Sequence, residues 1–186
     1  MSKHDGKVCV RLETENLILK PIEMSYKEYI FKQFSNSDVT RFMVDEEPFS
    51  KMEEAEKLIN SYTVPEPRMQ HRWVIIRKSD TVPIGTCGYH NWNTKDNICE
   101  IGYDLSPEYW GMGYMTEALR KIITIGFENM DLNRIQAFVH VQNSRSVDLL
   151  LRLGFKQEGI VREQFFFRGK YYDHFSFSLL KREWSL

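Results

Sequence analysis

The sequence is short of several things, and each shortage removes a class of function. Its three cysteines, Cys9, Cys87 and Cys99, are too few and odd in number for a disulfide framework, so reduced thiols in a cytoplasm are expected. No histidines or cysteines stand at zinc-ligand spacing, and Cys87 and His90 have opposite strand parity, so no metal is expected. Net charge is close to nil, 25 basic residues against 26 acidic ones, which leaves no electrostatic footprint for nucleic acid or an anionic membrane surface. No apolar run approaches the roughly 18 residues of a membrane span. The polar start, residues 1–7, lacks the apolar stretch of a signal peptide. There is no internal repeat, linker or low-complexity segment. The expectation is a single cytoplasmic domain over residues 1–186, long enough to bury a real core.

What is present is an ordinary globular composition, 42% apolar and 27% charged. Residues 1–16 read as a polar lead-in, and 17–22 as a first strand that Pro21 keeps at an edge or ends. Ser25-Tyr26-Lys27-Glu28 and Ser50-Lys51-Met52-Glu53 carry the capping-box pattern. Behind them Tyr26, Tyr29, Ile30 and Phe34, then Met52, Ala55, Ile59 and Tyr62, recur at helical spacing. Runs at 71–77, 82–92 and 98–105 read as strands, and the short turns between them imply an antiparallel meander. A helix follows from about residue 114, a strand over 134–141, a short helix over 144–153 stopped by Gly154, and strands over 160–167 and 175–180. The strand at 98–105, its helix and the strand at 134–141 make a right-handed βαβ unit with parallel strands. The expected fold is α/β (α+β): a mixed, mostly antiparallel sheet of about seven strands, helices on both faces, and one central parallel βαβ unit.

The chain is organised around Tyr109-Trp110-Gly111-Met112-Gly113-Tyr114-Met115-Thr116-Glu117-Ala118-Leu119. Strand, glycine-bearing loop and helix together aim unpaired N–H groups at an anion, and the helix dipole favours negative charge there. Glycine lets the backbone approach a pyrophosphate closely. Alone, G-x-G equally describes a tight turn that needs positive φ. No Gly-Lys-Ser/Thr follows, so this is not a Walker loop, and the dinucleotide fingerprint is incomplete.

Before this stretch comes Glu100-Ile101-Gly102-Tyr103; after it come Asn143-Ser144-Arg145-Ser146, Leu153-Gly154-Phe155 and Glu158-Gly159. In this order and spacing the motifs resemble the GNAT superfamily of acyl-CoA-dependent N-acetyltransferases. The resemblance runs from about Arg11 to Trp184 and is to the branch holding the bacterial ribosomal-protein serine/alanine N-acetyltransferases. It implies acetyl-CoA as co-substrate. In the family the loop and helix start bind the coenzyme pyrophosphate, here Trp110 and residues 111–116. The pantetheine arm lies in a split between the parallel strands and pairs with the first, here Tyr103, Asp104 and Leu105. A backbone N–H there meets the thioester carbonyl as an oxyanion hole. The family consensus has Gln or Arg where Trp110 stands and Gly or Ala where Met115 stands. Met115 is the bulkier departure and is expected to narrow the phosphate pocket.

Direct transfer needs a neutral amine, an oxyanion hole and a proton for the thiolate. An α-amine, pKa about 8, needs less help than a lysine amine at about 10.4. The resemblance implies Ser146 as general acid, since in this branch the serine of N-x-x-S sits beside the sulfur. Many relatives use a tyrosine where Leu150 stands. The other reading of Ser146 is a helix-start cap, and Asn143 either bonds the coenzyme or fixes the loop. Glu100, which shares a strand face with Gly102 and Asp104, is the expected base. Some relatives place a glutamate where Phe165 stands; Glu163, two residues earlier on the same face, is a weaker substitute, and His140 reads as structural. Cys99 faces away from Glu100 with no paired histidine, which leaves a ping-pong route unsupported. Phe165, Phe166, Phe167, Tyr171, Tyr172, Tyr89 and Trp92 read mainly as core.

The expected function is acetyl transfer from acetyl-CoA to a primary amine, such as the N-terminus of a ribosomal protein. Within the enzyme class the rival acceptor is a small amine: an antibiotic, a polyamine or an amino acid. Outside it stands a catalytically silent acyl-CoA-binding module. Neither nucleic acid nor membrane is an expected partner, and an exposed edge near the C-terminal strands is open to a homodimer.

Overall fold

The computed structural model describes residues 8–44, 47–65 and 67–185. β1 (Leu12–Glu13) and β2 (Leu17–Pro21) lead into α1 (Lys27–Phe34), the single-turn α2 (Ser37–Thr40) and α3 (Met52–Thr63). β3 (His71–Arg77), β4 (Pro83–Asn93) and β5 (Ile98–Leu105) form the meander. Then come α4 (Tyr114–Glu128), β6 (Arg134–His140), α5 (Ser144–Arg152), β7 (Lys156–Phe167) and β8 (Lys170–Leu180). They build one eight-stranded sheet in the order β1-β2-β3-β4-β5-β6-β8-β7. Among the described residues, only β5 and β6 pair in parallel. The eighth strand is β1, two residues that leave no periodicity for a sequence reading to find.

β3 explains why both faces are covered. Trp73 and Ile75 pack with Leu119, Ile122 and Ile123 of α4 and with Leu149 and Leu150 of α5. Val74 and Ile76 pack on the other side with Ile30 and Phe34 of α1 and Ala55 and Ile59 of α3. Alternate side chains leave a strand in opposite directions, so a strand buried twice reads as one apolar run.

Helix starts depart from the sequence reading. Ser25 Oγ donates to Glu23 at 2.7 Å instead of capping, and α1 begins behind a turn of 3-10 helix over Met24–Tyr26. The second box closes one residue late. Glu54, not Glu53, accepts the N–H groups of Ser50 and Lys51 at 2.7 Å each, because α3 starts at Met52. Gly154, at φ +88, ends α5 as expected. β7 and β8 outrun their expected lengths, since much of the added strand is exposed and carries no alternating pattern. Phe166 and Tyr171, expected in the core, are instead 62% and 56% exposed and pack against each other at a tilt.

The sheet parts at its centre. β5 and β6 pair at Ile98–Arg134, Cys99–Ile135 and Glu100–Gln136 and no further. Beyond that point β5 stays with β4 through Leu105, and β6 with β8 through His140.

Candidate active site

Register decides which backbone groups face this split. The Ser106 N–H donates to Ile84 O at 2.8 Å. Hydrogen-bonded pairs alternate in an antiparallel ladder, so the even-numbered residues of β5 bond to β4. Tyr103 and Leu105 therefore turn their N–H and C=O groups into the split, while Asp104 turns its own toward β4. Of the three residues expected to pair with the pantetheine arm, Tyr103 and Leu105 turn their backbone groups into the split and Asp104 does not. Leu105 O also accepts the Trp110 indole N–H at 2.8 Å, which ties the glycine loop to the strand end.

Gly111 and Gly113 stand at φ +78 and +84, and a Cβ at either would meet nothing within 4 Å. Backbone conformation, not crowding, demands glycine here. Gly113 is the N-cap of the 15-residue α4, and among the described residues no side chain caps that end. The first-turn N–H groups therefore remain available to an anion. Met115 does not crowd them: as the first member of the apolar stripe of α4 it enters the core, 7% exposed. The Arg145 guanidinium lies 4.3 Å from the centre of the Trp110 ring, which brings a cation from α5 to the loop. Glu117 accepts the backbone and side-chain N–H groups of Asn16 at 2.8 and 3.1 Å, tying α4 to the β1–β2 segment.

On the α4/α5 side of the sheet, Asn143 is the N-cap of α5 and its Oδ1 accepts the Ser146 N–H at 3.3 Å. Ser146 Oγ lies 2.7 Å from the Tyr103 hydroxyl. Burial raises that phenol well above its ordinary pKa, and the contact with Ser146 only partly offsets the rise. Leu150, one turn beyond Ser146, is fully buried.

On the α1/α3 side stands Glu100, the last residue of the parallel ladder, which accepts the Asn91 amide at 3.2 Å. Its cross-strand partner His90 lays an imidazole over Gly102, where a Cβ would lie 2.5 Å from Cε1. His90 Nδ1 is 3.2 Å from the Tyr62 hydroxyl. Burial first, and Arg72 second, push the imidazole down to about 4, so the ring is neutral at neutral pH. Asp104 braces α1 from beneath. It accepts from Thr86 Oγ1 and, at 2.8 Å, from Gln33, with the Arg72 guanidinium 3.6 Å away. Burial raises the Asp104 carboxyl, and Arg72 and these donors pull it back.

His140 ends β6 within a group of rings: Phe42 at 5.2 Å, His174 at 5.5 Å and Tyr172 at 5.6 Å, with Phe165 4.8 Å from His174. Burial, then Lys170, lower its pKa. Glu163 does not follow Phe165's alternation. The β7–β8 register slips between Val161 and Phe165, and Glu163 sits there at φ +53.

Burial pushes the Cys99 thiol up to about 12, and Cys87 shifts in the same direction. Neither is a thiolate at neutral pH. Among the described residues no group of three His, Cys, Asp or Glu could hold a metal ion, and no helix is long and apolar enough to cross a membrane. Sequence reasoning missed the His90 ring and the Tyr103 hydroxyl. The only trace of His90 is the glycine of Glu100-Ile101-Gly102-Tyr103, which leaves room for the ring.

The geometry thus offers an anion-binding loop, a strand edge for an extended arm, a hydroxyl on one side of the split and a carboxylate with a neutral imidazole on the other. Comparison with known proteins agrees. The family model for the acetyltransferase (GNAT) domain matches residues 16–156. The uncharacterized N-acetyltransferase p20 of Bacillus licheniformis is 36% identical over 177 residues, covering 94% of this chain and 98% of that protein. The ribosomal protein uS5-alanine N-acetyltransferase of Escherichia coli K12 is 34% identical over 89 residues, 48% of this chain and 46% of that protein. A spermidine N-acetyltransferase from Vibrio cholerae, solved with CoA and spermine, shares the fold at a TM-score of 0.81 and 24% identity, covering 91% of this chain and 98% of that one. The chain belongs to the GNAT acetyltransferase family and is an N-acetyltransferase.

Proposed function

We propose that this N-acetyltransferase moves the acetyl group of acetyl-CoA directly to the N-terminal amine of a peptide or protein. One observation carries the choice of acceptor: the floor on the α1/α3 side of the split is aromatic and offers few carboxylates. Among the described residues, β5, β6 and β8 present there by register Glu100, Gly102, Asp104, Arg134, Gln136, Phe138, His140, Lys170, Tyr172, His174, Ser176 and Ser178, with Arg134 already paired to Glu158. Asp104 is buried and already engaged. Glu100, partly buried and bonded by Asn91, is the carboxylate we place against the ammonium, and burial lowers the His90 and His140 imidazole pKa values, which disfavours added positive charge on the rings. A single ammonium followed by uncharged backbone suits this floor. A polyamine, with several ammonium groups, needs several carboxylates to offset their desolvation.

In this reading the pyrophosphate sits on the N–H groups of residues 111–116, with Arg145 nearby. The pantetheine arm pairs with Tyr103 and Leu105, and a β5 N–H facing the split receives the developing oxyanion. Glu100 takes the ammonium proton, the amine attacks the thioester carbon, and the tetrahedral intermediate collapses with loss of thiolate. Ser146 supplies the proton to sulfur. Glu100 and Ser146 flank the split from opposite faces, which supports collection of one proton and delivery of another at the same bond-exchange centre.

The test is thiol release from acetyl-CoA with lysine-free peptides beginning in Ser, Ala or Thr, beside spermidine and spermine. Release with peptides of one N-terminal class supports the proposal. Release with the polyamines alone overturns it.

A further inference from the structure

We propose that Tyr103 is a positioning residue for Ser146: its hydroxyl donates to Ser146 Oγ, so that the serine's own O–H points into the split at the departing sulfur. This rests on the reading of Ser146 as the acid. Tyr103 belongs to the strand whose edge faces the split, and its side chain crosses to the α5 side to reach Ser146 Oγ at 2.7 Å. A phenol is a stronger donor than an alkyl hydroxyl, and burial keeps this one protonated. Ser146 has no competing side-chain hydroxyl one turn on, where Leu150 is buried, and Asn143 is spent on the Ser146 N–H. Without Tyr103, a serine in the first turn of a helix rotates freely or donates back to a carbonyl of the preceding turn. In the reaction the C–N bond forms and the C–S bond breaks. Sulfur leaves with the electron pair and takes the Ser146 proton. The ammonium has given its first proton to Glu100 and gives its second, as the amide forms, to solvent, from which the serine regains the proton it lost.

The test reads the sulfur itself and needs no acceptor. The thiol of bound CoA is titrated by its ultraviolet thiolate absorbance, as a difference from protein holding desulfo-CoA. Hydrogen bonds to the thiolate lower this pKa. Tyr103→Phe keeps the ring and removes the hydroxyl. It is expected to raise the bound-thiol pKa by about half a unit to one unit, one hydrogen bond's worth, with CoA affinity within about twofold and an unchanged melting temperature. Ser146→Ala is expected to raise it at least as far, and the double variant no further than Ser146→Ala alone. Ser146→Thr, which keeps the hydroxyl, is expected to hold the wild-type value. A wild-type pKa in Tyr103→Phe beside a shifted Ser146→Ala overturns this inference and leaves Ser146 its role. Wild-type values in both remove Ser146 from the mechanism as well. Additive shifts in the double variant also overturn the inference, because the two hydroxyls then act separately.

Discussion

Gly113→Ala isolates the glycine loop, because its effect on folding and its effect on the coenzyme are separable. Gly113 stands at φ +84 with nothing within 4 Å of a would-be Cβ, so the folding cost is backbone strain alone. A non-glycine residue in the left-handed region costs about 1–2 kcal/mol, which in a chain of 186 residues lowers Tm by about 2–8 °C. Gly154→Ala is the control. Its φ is +88 and its Cβ would sit at an ordinary 3.8 Å from Leu179 Cδ1, so the strain is the same at the far end of α5. The binding effect belongs to Gly113 alone. Relief of the strain re-aims the first N–H groups of α4, and loss of one charge-assisted hydrogen bond costs about 1.5–3 kcal/mol, at least about tenfold in Kd. CoA present at about 100 times the wild-type Kd stabilises the native protein by about 2.7 kcal/mol, and this falls to about 1.4 kcal/mol or less in the variant. Calorimetric titration with CoA and melts with and without it read both quantities. Wild-type CoA affinity in Gly113→Ala, or equal loss in Gly154→Ala, refutes the reasoning.

Arg72→Met leaves the buried Asp104 carboxylate without the guanidinium 3.6 Å away and is expected to cost about 3–5 kcal/mol in urea unfolding; a loss below about 1 kcal/mol shows that the brace under α1 is not electrostatic. Cys99→Ala is expected to retain wild-type turnover and to be matched by inertness of native Cys99 toward thiol reagents, because its thiol is pushed up to about 12; loss of turnover would restore a covalent route. The Glu158 carboxyl is held down near about 2, from an ordinary 4.5, chiefly by its bonds from Arg134. A depressed folded-state pKa gives stability that is present above the ordinary value and disappears as pH falls from about 4.5 to about 2. Melts of Glu158→Gln across that window are expected to show a shallower acid limb than the wild type, and an identical limb contradicts the assignment.

Local signals carried most of the architecture. The apolar stripe from Met115 to Phe127 and the glycines before it define α4 and its bare N-terminus from neighbours in sequence. Gly154 likewise marks the end of α5 through its backbone requirement. What the sequence hid depends on register. Whether Asp104 or its neighbours face the split follows from the Ser106–Ile84 hydrogen bond, and no periodicity predicts which parity a strand edge offers. The His90 ring reaches Gly102 because β4 and β5 pair with His90 opposite Glu100, just before the register shifts between His90 and Asn93. The bulge at Glu163 breaks the alternation that would have placed it beside Phe165. Helix starts slipped because more than one residue near each start has capping chemistry. At α3 the choice fell to Glu54, whose carboxylate reaches two N–H groups.

Backbone hydrogen exchange with and without CoA tests the central claim, that the split and the glycine loop hold the coenzyme. The account predicts new protection at the amides of Tyr103, Leu105 and residues 111–116. Asp104, whose amide is turned to β4, and the β7–β8 ribbon remain as they were. Protection at Asp104 with Tyr103 and Leu105 unchanged, or protection confined to the β7–β8 ribbon, would contradict it.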